Sequence, residues 1–90
     1  MVLNDFKVSA VECLINNFNA ENECNDYIIN INGVSLLHIS RVEIDEDFVA
    51  VYRYINDNRI LVVCMSIDDI NTMWYLDDCN NIVSLNNIEF

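Results

Sequence analysis

The sequence predicts an α+β fold in which one N-terminal amphipathic helix precedes five or six antiparallel strands in a strongly curled sheet. Three observations predict it. Apolar residues recur at helical spacing near the N-terminus, an Asn-Gly pair lies between two apolar runs, and two later runs are apolar on both faces. A chain of 90 residues builds one modest core, so we expect a single domain over residues 1–90.

The helix is predicted from about Ser9 to Asn19. Ser9-Ala10-Val11-Glu12 has the form of a capping box, in which the serine and glutamate side chains bind backbone N–H groups at a helix start. The acidic stretch 21–26 has no periodicity and is predicted to be a loop. The apolar residues that follow at helical spacing are Val11, Leu14, Ile15 and Phe18.

Asn32-Gly33 predicts a two-residue hairpin turn, because both central residues of a type I′ turn need positive φ. A turn of this length fixes the register of the two flanking strands. The same register directs His38, the only histidine, inward. The cross-strand pairs expected on the core face are Ile31 with Val34, Ile29 with Leu36, and Tyr27 with His38.

Residues 41–55 are predicted as one longer strand, interrupted by charge at first and apolar on both faces from Phe48 to Tyr52. A turn at 56–58 leads to Arg59–Met65, which is again apolar on both faces. Two such neighbours imply the centre of a strongly curled sheet, of which a small SH3-like barrel is one form. Residues 66–70 are predicted as a turn or one helical turn, and the last strands as residues 72–76 and 82–85.

The segment 32–49 contains Asn32-Gly33-Val34, Leu36, Ile39 and Asp47-Phe48-Val49. With these residues in this order, it resembles the first motif of Sm-like proteins of the Hfq type. The resemblance implies a small curled barrel and allows assembly into a homo-oligomer. It does not imply RNA binding, because Leu61–Met65 stands where that family has a basic segment that contacts RNA.

Negative charge is the strongest signal in the composition. Fifteen acidic residues against four basic ones give a net charge of −11. Nucleic-acid binding depends on Lys and Arg that neutralise phosphates, so direct nucleic-acid binding is not expected. The chain is rich in Asn and Ile, as an A/T-rich gene would make it, yet Lys7 is its only lysine, which favours selection for acidity. The alternative is that the charge serves solubility alone.

We predict a cytoplasmic protein without membrane contact, cofactor or metal. No segment has the pattern of a signal peptide or a membrane span. The acidic segments lack the glycine and distant glutamate of an EF-hand loop, so calcium is disfavoured. Reduced thiols are expected rather than disulfides or zinc, because no Cys-x-x-Cys spacing occurs among Cys13, Cys24, Cys64 and Cys79.

No catalytic site is predicted, so the protein is expected not to be an enzyme. His38 with a cysteine could form a nucleophilic pair, but the chain has no glycine-rich loop to complete such a site. A hydrogen-bonded structural histidine is therefore favoured. Adjacent aspartates are common on surfaces, and nothing in the sequence places a pair of them in a pocket.

The candidate partner-binding residues are mostly carboxylates. Glu43, Asp45 and Asp47 alternate along a predicted strand, which would set them about 6.6–7 Å apart on one face, near the phosphate spacing of a nucleic-acid strand. Aromatic residues beside acidic ones often anchor interfaces, and of Trp74 and Tyr75 we predict Tyr75 at the surface. The full predicted set is Glu43, Asp45, Glu46, Asp47, Asp68, Asp69, Tyr75, Asp77 and Asp78.

These features predict a small acidic inhibitor, encoded by a phage or mobile element, that blocks a nucleic-acid-binding host defence enzyme. Anti-CRISPR, anti-restriction and other DNA-mimic proteins act in this manner, through electrostatic complementarity to a basic protein. An immunity protein or antitoxin that neutralises a basic toxin would need the same surface and stays an alternative. A structural subunit that forms a homo-oligomer through an unpaired strand edge is a third hypothesis.

Overall fold

The computed structural model describes residues 3–21, 27–77 and 79–85, which form one α-helix, seven strands and one 3-10 helix. The strands make two antiparallel sheets, with the orders β2-β1-β6-β7 and β3-β4-β5. The α+β class with one helix and antiparallel strands is confirmed, whereas the predicted strand count and strong curl are wrong. The elements are α1 (Leu3–Glu21), β1 (Tyr27–Ile31), β2 (Val34–Ile39), β3 (Arg41–Asp45), β4 (Phe48–Ile55), β5 (Asn58–Ser66), the 3-10 helix (Ile67–Asp69), β6 (Met73–Leu76) and β7 (Ile82–Ser84).

Helix α1 begins earlier than the sequence predicts. It starts at Leu3, so Ser9 lies inside the helix and does not cap it. The apolar face extends back to Val8, which packs against the core, and this extra contact favours a helix that begins before the capping-box residues. The apolar face itself is confirmed, because the predicted core residues are buried: Val11, Leu14, Ile15 and Phe18.

The hairpin at Asn32-Gly33 forms with the predicted turn. Both residues have positive φ, 54° and 86°, as a type I′ turn requires. Ile31 pairs with Val34 and Ile29 with Leu36, as predicted. The β1 members are buried, but Val34 is 60% exposed because β2 is an edge strand of its sheet.

A register shift in the same hairpin turns His38 outward. The shift lies between Tyr27 and Ile29, and it makes Ile39 the residue that pairs with Tyr27. His38 itself has a φ of 56° and is exposed. A β-bulge of this kind inserts one residue and redirects the side chains beyond it, so the prediction of an inward His38 is wrong.

Residues 41–55 form two strands rather than one. The chain reverses at Glu46-Asp47, where Glu46 has a φ of 55°, and Asp45 pairs with Phe48 across the turn. The next predicted turn is confirmed at Asn56-Asp57, with φ values of 52° and 67°. Strand β5, predicted at the centre of a sheet, is instead an edge strand, and its Leu61 is 53% exposed.

The core lies between α1 and the inner faces of the two sheets. The Asn19 side chain of α1 binds the free edge of β3: its Nδ2 donates to Val42 O (2.7 Å), and its Oδ1 accepts from Val42 N (3.1 Å). These two bonds replace those of a neighbouring strand. None of the described helices is long and apolar enough to cross a membrane. The largest fully buried side chains include Tyr75, Phe18, Leu14, Ile29, Ile39, Ile67, Ile70 and Met73.

One of the two connections between the sheets is a single residue. Ser40 follows β2 and precedes β3, and it is buried. Its backbone N donates to Tyr52 O (2.9 Å), and its Oγ accepts from Tyr54 N (3.0 Å). The chain therefore passes from one sheet into the other without a loop.

Candidate functional site

Five of the predicted carboxylates lie on two elements that are hydrogen-bonded to each other. Asp45 ends β3, Glu46 and Asp47 form the next turn, and the 3-10 helix carries the other two. A backbone hydrogen bond from Ile67 N to Asp47 O (2.8 Å) joins that turn to the 3-10 helix. All five side chains are exposed. We call this surface the acidic end; its residues are Asp45, Glu46, Asp47, Asp68 and Asp69.

Side chains from other elements hold the acidic end in place. Ser66 caps the 3-10 helix, since its Oγ accepts from Asp68 N (3.3 Å). Asn32, in the β1–β2 turn, donates from Nδ2 to Asp69 O (2.8 Å). Lys7 Nζ of α1 donates to Asp68 O (3.1 Å), a backbone carbonyl. The backbone that carries Asp68 and Asp69 is thus bound from three elements, while the carboxylates point to solvent.

Asn32 also binds the segment after the 3-10 helix. Its Oδ1 accepts from Asn71 N (2.7 Å) and from Thr72 N (3.1 Å). Its backbone N donates to Thr72 O (2.9 Å). One asparagine therefore forms a type I′ turn and connects that turn to the loop that leads into β6.

Glu43 lies two residues before Asp45 on β3, and its charge is partly neutralised. Its Oε1 accepts from Arg41 Nε (3.2 Å) and from Arg59 Nη1 (3.4 Å). The Arg59 guanidinium also lies over the ring of Tyr52, 4.4 Å from its centroid. The predicted row of three carboxylates on one strand is wrong, because β3 ends at Asp45 and Asp47 lies in the turn.

Asp77 stabilises a turn and lies at the other end of β6 from the 3-10 helix. Its Oδ1 accepts from Cys79 N (2.9 Å) and from Asn81 N (2.8 Å), and its backbone carbonyl accepts from Asn80 N (3.0 Å). This is the local bonding by which an aspartate forms a turn. Asp78, also predicted as a binding residue, lies outside the described residues.

Tyr75 is buried, so its predicted place at the surface is wrong. Strand β6 lies between β1 and β7, and the Tyr75 face of β6 packs on α1, where the ring meets Phe18 edge-on at 5.3 Å. Its hydroxyl donates to Glu21 Oε2 (2.9 Å). Burial, and then the bond to the Glu21 carboxylate, raise the pKa of Tyr75 well above its usual range. Trp74, on the opposite face, is half-buried.

A second exposed surface was not predicted from the sequence. On the outer face of the three-stranded sheet, Phe48 is 51%, Tyr54 44% and Leu61 53% exposed. The segment from Phe48 to Tyr52 is apolar on both faces, a pattern that predicts a strand at the centre of a sheet and not an exposed surface. We call this surface the apolar outer face; its residues are Phe48, Tyr52, Tyr54, Leu61 and Cys64.

Among the described residues, the groove beside α1 lacks the side chains of a nucleophilic site. A groove of about 410 Å³ between α1 and β3 is lined by Glu12, Arg41 and Glu43 among other residues, but by no histidine or cysteine. Within residues 3–21, 27–77 and 79–85, no group of three or more His, Cys, Asp or Glu side chains could hold a metal ion. What these residues can do is bind cationic groups at the acidic end and apolar groups on the outer face.

The fold and the two surfaces define the class of protein: an acidic α+β domain with one carboxylate-rich end and one exposed apolar sheet face. No protein-family model matches this chain, and no curated protein or solved structure matches it either.

Proposed function

We propose that this protein is a small acidic inhibitor that acts in the cytoplasm by binding a basic protein and not by catalysis. The partner would be a nucleic-acid-binding host defence enzyme, and the gene would belong to a phage or mobile element. The observation that supports the proposal is the acidic end, where two separate elements bring five exposed carboxylates together. These carboxylates would contact the Lys and Arg side chains that normally bind phosphates.

The acidic end is suited to this role because its backbone is held before binding. Binding that orders a loop costs conformational entropy, and a preorganised surface avoids that cost. Here the turn and the 3-10 helix are joined by the Ile67–Asp47 bond, and Asn32 holds the far end of the 3-10 helix. No arginine or lysine side chain is within ion-pair distance of these carboxylates among the described contacts, whereas Glu43 is paired with two arginines.

Electrostatics also favours association with a basic protein over self-contact at this end. A net charge of −11 creates a long-range field that speeds encounter with a cationic partner. Such binding weakens with salt, since exposed charges are screened beyond about 8 Å at physiological ionic strength. Duplex DNA should compete with the protein, because both would occupy the same basic groove.

A capture experiment with a charge-matched control tests the proposal. The immobilised protein should retain a nucleic-acid-binding protein from host lysate, and short duplex DNA should elute it. The variant Asp45→Asn with Asp47→Asn and Asp68→Asn removes three negative charges and should bind at least about tenfold more weakly, a loss of roughly 1.4 kcal/mol. The control Glu12→Lys with Asn17→Lys shifts the net charge equally, at exposed positions of α1, and should bind as the wild type does.

The captured protein must then be inhibited in solution. Purified wild-type protein should block its DNA binding, and the triple variant should not. Equal binding by the triple variant and the control, or a partner that neither DNA nor salt releases, would contradict the proposal. Capture of a basic toxin instead would replace it with the immunity-protein alternative.

A further inference from the structure

Strand β5 is the longest sheet edge without a partner among the described residues. The free edge of β3 is bound by Asn19, and the Leu37 carbonyl of β2 accepts from Arg53 Nη2 (2.6 Å). Strand β7 has three residues, whereas β5 has nine. In β5, Ile60 is 43% and Leu61 53% exposed. Proteins usually protect such an edge, because an apolar strand with free backbone groups pairs readily with another strand.

The backbone groups that point outward from β5 follow from its pairing with β4. In a hairpin with a two-residue turn, the residues beside the turn, here Ile55 and Asn58, share hydrogen bonds. Alternation then directs the N–H and C=O groups of every second residue outward. The register shift opposite Val51 and Tyr52 adds Val62 as an extra residue and moves this alternation by one position. The residues with outward groups are therefore Arg59, Leu61, Cys64 and Ser66.

These four positions are symmetric about the midpoint between Val62 and Val63. Because of this symmetry, an antiparallel second copy of β5 can pair with the first at all four positions. Arg59 meets Ser66 of the second copy, and Leu61 meets Cys64 of the second copy. Each such pair can exchange two backbone hydrogen bonds. Without the extra residue Val62, a residue of one copy with outward backbone groups would face a residue of the second copy without them in this register.

The symmetry of the four positions favours a second copy as the occupant, and the distribution of charge along β5 favours the antiparallel orientation. The hairpin of β4 and β5 carries Arg53 and Arg59 against a single acidic residue, Asp57, so it is the least acidic part of a chain with net charge −11. The other end of β5 leads into the 3-10 helix with Asp68 and Asp69. Antiparallel pairing sets the least acidic end of each strand beside the acidic end of the other. Parallel pairing would bring two acidic ends together.

We propose that the protein forms a two-fold symmetric dimer through antiparallel pairing of β5, which joins two three-stranded sheets into one continuous six-stranded sheet. The two apolar outer faces then become one surface, and Leu61 packs beside Cys64 of the second copy. The dimer does not depend on the proposed inhibitor function, because backbone groups of β5 form the strand pairing; Asp68 and Asp69 affect only its orientation.

Site-directed crosslinking tests the register. Hydrogen-bonded antiparallel partners have Cα atoms about 5.5 Å apart, which is within the disulfide range. Leu61→Cys should therefore form a covalent dimer with the native Cys64 of a second copy under mild oxidation with diamide. Leu61→Cys combined with Cys64→Ser should lose this product, because two residues at position 61 are three positions out of register. A covalent dimer that persists in the double variant would overturn the proposed pairing.

Sedimentation tests the dimer itself. The wild-type chain should have the mass of a dimer at micromolar concentration. Leu61→Lys should raise the concentration at which half of the dimer dissociates about 100-fold. The variant dimer contains two such lysines, one from each copy, and each is expected to cost about 1.4 kcal/mol, a factor of roughly ten. Val34→Lys, at a 60% exposed position of another edge strand, should leave the dimer unchanged. A wild-type chain that is monomeric at micromolar concentration would overturn the proposal. So would equal effects of Leu61→Lys and Val34→Lys on dissociation, provided that both variants keep the native circular dichroism spectrum.

Discussion

Replacement of Asn32 by glycine should destabilise the protein far more than a typical change in a hairpin turn. Glycine accepts the φ of 54° that Asn32 adopts, so the type I′ turn itself is preserved. The change removes the amide that binds Asp69 O at 2.8 Å, Asn71 N at 2.7 Å and Thr72 N at 3.1 Å. The loss in free energy of unfolding therefore measures how strongly this turn is joined to the segment between the 3-10 helix and β6.

The magnitude follows from the three lost hydrogen bonds. A net contribution of about 0.5–1.5 kcal/mol for each bond gives roughly 2 kcal/mol, toward the lower part of the summed range because water can reach these exposed groups. For a chain of this size, that loss lowers the melting temperature by about 8–16 °C. Urea unfolding followed by circular dichroism measures the free energy directly.

Asn56→Gly is the matched control. Asn56 has a φ of 52° at the first position of the other Asn-initiated turn, and its side chain is exposed. Both variants gain the same unfolded-state entropy from glycine, so this contribution cancels in the comparison. If Asn32→Gly lies within about 0.5 kcal/mol of Asn56→Gly, the side-chain bonds of Asn32 do not stabilise the fold and the reasoning fails.

Three further changes probe other contacts. Tyr75→Phe should cost about 1–2 kcal/mol near neutral pH through loss of the hydroxyl bond to a carboxylate. The pKa of Tyr75 in the folded state is raised above its ordinary value of about 10, so the contribution of the tyrosine to stability is complete below pH 10 and is lost as pH rises. The difference in free energy of unfolding between the wild type and Tyr75→Phe should therefore shrink by up to about 1.4 kcal/mol per pH unit above pH 10. A difference in urea unfolding that stays constant with pH would contradict this. Asn19→Ala should lower the free energy of unfolding by about 2 kcal/mol through loss of both bonds to β3, whereas Asn16→Ala, exposed on the same helix, should change it by less than about 0.5 kcal/mol. Glu43→Gln should cost less than about 1 kcal/mol and lose its effect in high salt, since its arginine partners are half exposed; a larger, salt-independent loss in thermal unfolding would show that the pairs contribute more than surface ion pairs do.

Local signals predicted the elements whose structure depends on nearby residues. The helical spacing from Val11 to Phe18 and the Asn32-Gly33 turn depend on backbone and side-chain chemistry within a few residues. The same holds for the 3-10 helix, where Ser66 lies at the cap position. For the acidic end, the residues were predicted but not their arrangement, because the bond from Ile67 to Asp47 joins distant parts of the chain.

The errors arose where tertiary contacts decide the structure. Glu46 is not a typical turn residue for positive φ, so the reversal before Phe48 had no local signal. Strand alternation puts Trp74 and Tyr75 on opposite faces, but only the position of β6 between two strands determines which face meets α1. Strand β5 is apolar on both sides, which indicated a buried strand, yet the structure makes it an edge.

The single-residue link at Ser40 has a consequence for how the chain folds. Strands β3, β4 and β5 pair with their sequence neighbours, whereas β6 pairs with β1 across the whole three-stranded sheet, with Met73 opposite Ile31. Closing that long loop costs more entropy than closing a hairpin, so the topology favours early formation of the local strand pairs and late docking of β6. Trp74, the only tryptophan, lies on β6, so its fluorescence should report the last step of folding.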